Sequence, residues 1–161
     1  MNLPESDFQI LKLSDLFYKT YTRSEYKEIM LKQRRAYNCL LFQSHYDYFI
    51  CIPFRSEIMH NNAYHFKYSE RAKKHKSGLD YSKIVIISDL NYLESKGALI
   101  DDDEFNETMK NFNKIKRSAL KFVDDYVDHM NGIKMLHPAE FKRRYQFTTL
   151  KYFHEQLGVN K

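Results

Sequence analysis

Tyr37-Asn38-Cys39-Leu40-Leu41-Phe42-Gln43-Ser44-His45-Tyr46-Asp47-Tyr48-Phe49-Ile50-Cys51-Ile52-Pro53 decides the fold class of this 161-residue chain. Two runs rich in aromatic and branched residues, Tyr37–Phe42 and Tyr48–Ile52, flank the polar Gln43–Asp47. That connection is short enough for a hairpin, so the two runs are expected to pair as antiparallel strands. Pro53 cannot donate to a ladder and is expected to end the second strand. Phe54–His60 then reads as a loop or a single helical turn. Cys39 and Cys51 fall on opposite arms and are placed to face one another across the hairpin. Two cysteines do not define a disulfide framework, and a reduced, buried pair is expected.

Working outward, Phe8–Leu13 reads as a first strand, with Phe8 and Ile10 on one face and Leu11 and Leu13 on the other. Ser14-Asp15 offers an N-cap for a short helix running to Tyr21, and Thr22–Glu25 a cap for a second from Tyr26 to about Lys32. Ala63–Tyr68 alternates Tyr64, Phe66 and Tyr68 against His65 and Lys67, the pattern of a half-buried strand. Ile84-Val85-Ile86-Ile87 gives Lys83–Ser88 the continuous apolar character of a buried central strand, and Asn91–Leu93 adds a short edge piece.

The period changes after residue 100. Asp101-Asp102-Asp103-Glu104 places acids where a helix N-terminus favours them. Phe105, Met109, Phe112, Ile115, Ala119, Phe122, Tyr126 and Met130 then recur at three and four, predicting one long amphipathic helix that Asn131-Gly132 ends. A second helix is predicted from Pro138, stacking Phe141, Tyr145, Thr149, Tyr152 or Phe153, and Leu157. Both are expected to pack on the sheet. The fold class is α+β, a mostly antiparallel sheet flanked by helices, in a single domain over residues 1–161.

Composition bounds the function. Hydrophobic residues make up 43% of the chain, with 13 Tyr, 12 Phe and no Trp, which is globular rather than disordered. No apolar run approaches the roughly 20 residues of a membrane helix. Met1-Asn2-Leu3-Pro4-Glu5 lacks the basic-then-apolar pattern of a secretory signal, so a cytoplasmic protein is expected. The seven His are scattered and none pairs with Cys or another His at zinc spacing, so neither a metal nor a cofactor is expected. The net charge of +5 is uneven: Lys and Arg dominate from Arg23 to Lys83, whereas acids cluster from Asp101 to Glu107. A basic, aromatic half suggests a polyanion partner, against the plainer reading of a solvated lysine surface.

Metal-free cleavage of an RNA phosphodiester sets chemical demands. A group must help remove the 2′-OH proton, another must protonate the leaving 5′-oxygen, and donors must hold the charge gathering on the phosphoryl oxygens. Arg55 suits the last task because its planar fork holds two phosphate oxygens. Ser56 beside it can donate to the same phosphate or orient the 2′-OH, and His60 suits either proton transfer. Lys67 and Lys83 add charge from neighbouring strands. The structural alternatives are that Arg55 pairs with an acid, Ser56 caps the turn, and His60 is hydrogen-bonded in place. Arg71, Lys73, Lys74 and Lys76 either grip an RNA backbone by counterion release or form a solvated surface loop. Ser77-Gly78 reads as a turn with exposed N–H groups, an anion nest.

Ile52-Pro53-Phe54-Arg55-Ser56, His60, Ala63-Tyr64-His65-Phe66-Lys67 and Ser77-Gly78-Leu79-Asp80-Tyr81-Ser82-Lys83-Ile84-Val85-Ile86-Ile87 together resemble the endoribonucleases of type III toxin–antitoxin systems. These are the ToxN/AbiQ group, with the CptN and TenpN branches nearest. The resemblance implies a twisted antiparallel sheet related to the MazF/Kid-like toxins. It also implies sequence-specific, metal-independent cleavage of cellular or phage RNA that leaves a 2′,3′-cyclic phosphate. Its implied partner is a pseudoknotted repeat RNA antitoxin, which the toxin processes and which holds it inactive in a protein–RNA hetero-oligomer. In the ToxN pattern a Thr-Ser pair followed by Lys comes after the second hairpin strand. Arg55-Ser56 stands at that Thr-Ser, so Ser56 is the catalytic match. Glu57-Ile58-Met59 follow instead of the Lys, which leaves Arg55 or Lys67 to supply that charge. Arg35 stands where the family carries a functional Lys, and Tyr18 is a candidate for a family tyrosine. The competing expectations are a non-catalytic RNA-binding module on the same basic, aromatic surface, and a protein-interaction domain whose charge is incidental.

Overall fold

The hairpin forms and is the centre of the molecule. A computed structural model describes residues 8–29 and 37–160. In chain order its elements are β1 (Gln9–Leu13), α1 (Asp15–Thr20), β2 (Asn38–Gln43), β3 (Phe49–Arg55), β4 (Ala63–His65), α2 (Glu70–His75), β5 (Gly78–Asp80), β6 (Val85–Ile87), β7 (Leu93–Gly97), α3 (Asp102–Lys110), α4 (Phe112–Met130), α5 (Pro138–Tyr145) and α6 (His154–Leu157). Tight 3-10 turns follow β5, β6 and α5, at Tyr81–Lys83, Leu90–Tyr92 and Thr149–Tyr152. The strands form one seven-stranded sheet ordered β4-β5-β3-β2-β1-β7, with β6 also pairing with β3. Every pairing is antiparallel, and the fold class is α+β.

Alternation along the strands divides the core. Phe8 and Phe42 meet Phe112 of α4, with ring centroids 4.8 and 5.8 Å apart respectively. On the opposite face Leu13, Cys39, Pro53 and Val85 pack with Tyr18 of α1 and Ile29. Cys39 stands opposite Pro53, and Leu41 opposite Cys51. The two thiols are therefore diagonal neighbours rather than directly opposed, and both are free and buried. The hydrogen bond between them, followed by burial, pushes the Cys51 thiol up from its ordinary value.

Several expectations are corrected. Pro53 does not end its strand, for β3 runs on to Arg55. On the side away from β2, β6 pairs as far as Cys51 and β5 begins at Phe54. Pro53 thus falls in a gap of the ladder, where a missing N–H is tolerated. The predicted strand Ala63–Tyr68 stops at His65, because the N–H groups of Lys67 and Tyr68 donate to the Glu107 carboxylate and not to a neighbouring strand. The edge strand begins where Asn91–Leu93 was expected to finish and runs to Gly97. Residues 23–29 are turns, not the start of a helix from Tyr26, and the remainder of that predicted helix lies outside the described residues.

The C-terminal helical runs are both interrupted. The first breaks at Asn111, whose side chain donates to the Glu107 carbonyl at 2.9 Å and competes with the helix. The second breaks after Tyr145. The Thr148 hydroxyl accepts the Leu150 N–H and the Thr149 hydroxyl donates to the Ile84 carbonyl, fastening the short turn to the start of β6. Among the described residues no helix is long and apolar enough to cross a membrane.

Candidate functional site

Asp80, at the end of β5, is 0% exposed and gathers the loops around it. Arg55 Nη1 donates to its Oδ2 at 2.7 Å. The Ser82 hydroxyl and Ser82 N–H donate to its Oδ1 at 2.6 and 2.9 Å. His60 Nε2 lies 3.3 Å from the same carboxylate. His60 Nδ1 accepts the N–H of Asn62 at 3.1 Å, so Nε2 carries the proton and donates it to Asp80. Both ring nitrogens of His60 are therefore engaged within the protein. The structure brings Arg55 and His60 together, but as joint partners of one buried carboxylate.

The guanidinium of Arg55 is held through Nη1, and its Nε is buried with no hydrogen-bond partner. The second such atom among the described residues is Asn38 Oδ1. Arg55 and Asn38 both line a cavity of about 340 Å³ at the end of the sheet, together with Lys12, Tyr37, Ser56, Arg71 and Glu104. Both atoms are themselves buried, so the cavity brings their residues together without exposing the two orphaned atoms to it. Ser56 follows Arg55 as the chain leaves the sheet, and its hydroxyl has no partner among the described residues. Glu57 comes next with φ of 57°, a left-handed conformation rare for a non-glycine residue. Its N–H donates to the His75 carbonyl and its carboxylate meets the His75 ring at 3.0 Å, which fastens the Ser56 loop to α2.

Two further buried carboxylates shape this corner. Glu104 accepts from the hydroxyls of Ser69 and Ser77 at 2.9 and 2.6 Å and from Arg71 Nη2 at 3.0 Å. Glu107 accepts from the Tyr64 hydroxyl at 2.7 Å as well as from the backbone of Lys67 and Tyr68. The basic segment between them is no solvated loop. Ser69 caps α2 by accepting the Ala72 N–H, and Arg71 points inward at Glu104. Lys73, Lys74 and Lys76 stay on the exposed side, Lys73 paired with Glu70. Ser77-Gly78 is not an exposed nest either, since both residues are buried and Gly78 opens β5. A Cβ on Gly78 would lie 2.1 Å from the Tyr64 carbonyl oxygen, so only glycine lets β4 approach this closely.

The remaining predicted residues are spread. Tyr18 and Lys83 line a gap of about 10 Å³ beneath Tyr37, hardly room for one water. Burial pushes the Tyr18 phenol up, and Cys39 and Cys51 add to the shift. Burial likewise pulls the Lys83 amine down from its ordinary value, and its Nζ donates to the Phe147 carbonyl at 3.0 Å. Lys67 lies on a different cleft, with His65 and α4. Arg35 lies outside the described residues.

Sequence reasoning missed Asn38, Asp80, Ser82, Glu104 and Glu107. Two of them left a signal: Glu104 and Glu107 continue the three-and-four spacing that leads to Asn111 and Ile115, so they sit on the inward stripe of the helical run. Among the described residues no group of three or more His, Cys, Asp or Glu is placed to hold a metal ion. No family model matches the chain, and no curated protein matches it.

Proposed function

We propose that the cavity beside Arg55 binds the sugar-phosphate backbone of RNA and cleaves it by internal transesterification. The observation that carries this reading is one cavity lined by three cationic side chains, Arg55, Arg71 and Lys12, together with Asn38 and the Ser56 hydroxyl, which has no partner among the described residues. A ribose with its 3′-phosphate suits this lining: phosphoryl oxygens accept from Arg55 and Ser56, and the sugar lies beside Asn38. The 2′-OH gives its proton to a carboxylate lining the cavity, Asp101, as the 2′-oxygen bonds to phosphorus, and the bond to the 5′-oxygen breaks as that oxygen takes up a proton, giving a 2′,3′-cyclic phosphate and a 5′-OH. Arg55 and Ser56 stabilise the charge on the phosphoryl oxygens. Of the lining groups, Lys12 and Tyr37 carry titratable protons to give the leaving oxygen. In this reading the protein is the toxin of a type III toxin–antitoxin pair, as its Ile52–Ser56 and Ser77–Ile87 segments suggest by resemblance. Its partner is then a pseudoknotted repeat RNA.

A second reading, a non-catalytic RNA-binding module, is favoured by one observation. No imidazole lines the cavity among the described residues, and both nitrogens of His60 are occupied. One experiment separates the two. RNA-free protein is incubated with RNA in EDTA and the new ends are mapped. Cyclic phosphate ends support the nuclease. Binding with no cut supports the module, and cleavage that EDTA abolishes and magnesium restores removes the metal-independent mechanism.

A further inference from the structure

A second cleft, of about 450 Å³, opens between the free edge of β4 and α4. Lys114, Ser118 and Lys121 reach it from α4, His65 and Lys67 from the β4 segment, and Arg144 from α5. The two α4 lysines are seven residues apart, about 10 Å along the helix axis. Among the described residues no acidic side chain lines the cleft. Lys121 and Arg144 share the nearby Asp125, at 2.9 and 3.0 Å, and Arg144 is further held over the rings of Phe122 and Tyr145. Lys67 and Lys114 are exposed, and their amines have no partner among the described residues.

We propose that this cleft is a second anchor for single-stranded RNA, holding the phosphate backbone outside the Arg55 cavity. The proposal rests on the RNA-directed reading above, though not on cleavage. The charge set is one that a phosphate chain satisfies. A protein partner is disfavoured because Lys is depleted in protein interfaces and the aromatic residues here, Tyr64, Tyr81 and Phe122, are buried and offer no apolar anchor. The volume is that of a pocket for a small ligand, enough for a stretch of single strand and too small for a duplex. Register ties the cleft to the cavity: His65 and Arg55 both stand opposite Gly78, from either side of β5. That puts them two strand spacings apart, about 10 Å. One strand of RNA can cross that corner and engage both.

The test is made in the Ser56→Ala background, so that bound RNA is not cut. The affinity for a labelled single-stranded RNA of mixed sequence is measured between about 50 and 200 mM salt. Replacing Lys67 and Lys114 together by Gln is expected to reduce the slope of log K against log salt by about 1.4, at roughly 0.7 per phosphate contact. Replacing Lys73 and Lys74 together by Gln removes the same charge from α2 and is expected to change the slope by less than half as much. Equal effects of the two double variants, or an unchanged slope in the first, overturn the proposal. Polyglutamate that binds as tightly as RNA and is lost in the same variant overturns it in favour of an acidic protein. A slope that behaves as expected in a protein that never cuts RNA leaves the anchor standing and removes the nuclease reading alone.

Discussion

Arg55 donates from Nη1 to Oδ2 of Asp80 at 2.7 Å, and that contact ties a cavity-lining cation to a buried charge. Asp80 is wholly buried, so Arg55 carries two duties, neutralising a buried charge and lining the cavity. Removing it to Ala is expected to cost about 3 kcal/mol of stability, because a buried carboxylate loses its cation. Arg55→Lys keeps the charge but not the fork, so it should retain most of the stability while losing RNA cleavage. Urea unfolding and a cleavage assay on both variants check this. Equal stability of Arg55→Ala and wild type contradicts it.

Ser56→Ala is expected to separate function from fold. Its hydroxyl has no partner among the described residues, so stability should not change by more than the roughly 0.5 kcal/mol usual at neutral surface sites. Cleavage should fall roughly 100- to 1000-fold, the usual loss of one donor to a developing anion. Wild-type turnover by the variant would place the chemistry elsewhere.

Gly78→Ala tests the approach of β4 to β5. The added Cβ meets the Tyr64 carbonyl oxygen at 2.1 Å, and that atom is backbone and cannot swing away. A loss of about 2–3 kcal/mol is expected in urea unfolding, at the upper end for an overpacked site. The His65 and Lys67 amides should also exchange faster with solvent. An unaltered unfolding midpoint would show that the two strands separate at little cost.

Acid should loosen the second cleft through Asp125. Burial pulls that carboxyl upward, but hydrogen bonds from Lys121 and Arg144 outweigh burial and hold it below the ordinary carboxylate value. A depressed native pKa means stability that is complete above the unfolded value, about 3.9, and lost as pH falls through the native one. The stability difference between wild type and Asp125→Asn should therefore be largest near neutrality and shrink below about pH 4. A difference that stays constant down to about pH 3 would assign it to packing instead.

The sequence by itself determined the elements whose signal is local. The hairpin of Asn38–Gln43 and Phe49–Arg55, the buried Val85–Ile87, the Ser14 cap that accepts the Phe17 N–H, and the apolar stripe from Phe112 to Tyr126 follow from backbone periodicity and neighbouring side chains. Arg55 and Ser56 stand out because the strand is expected to end at Pro53; it runs on to Arg55, and both residues line the cavity. What the sequence did not show is which polar groups are buried. Asp80, Glu104 and Glu107 look like any other acids in the chain. Their partners lie far off: Arg55 is 25 residues from Asp80, Arg71 is 33 from Glu104, and Tyr68 is 39 from Glu107. A carboxylate enters the interior only where several donors converge to replace its water. That convergence exists only once the sheet, α2 and α3 have met, and so the tertiary structure alone decided it.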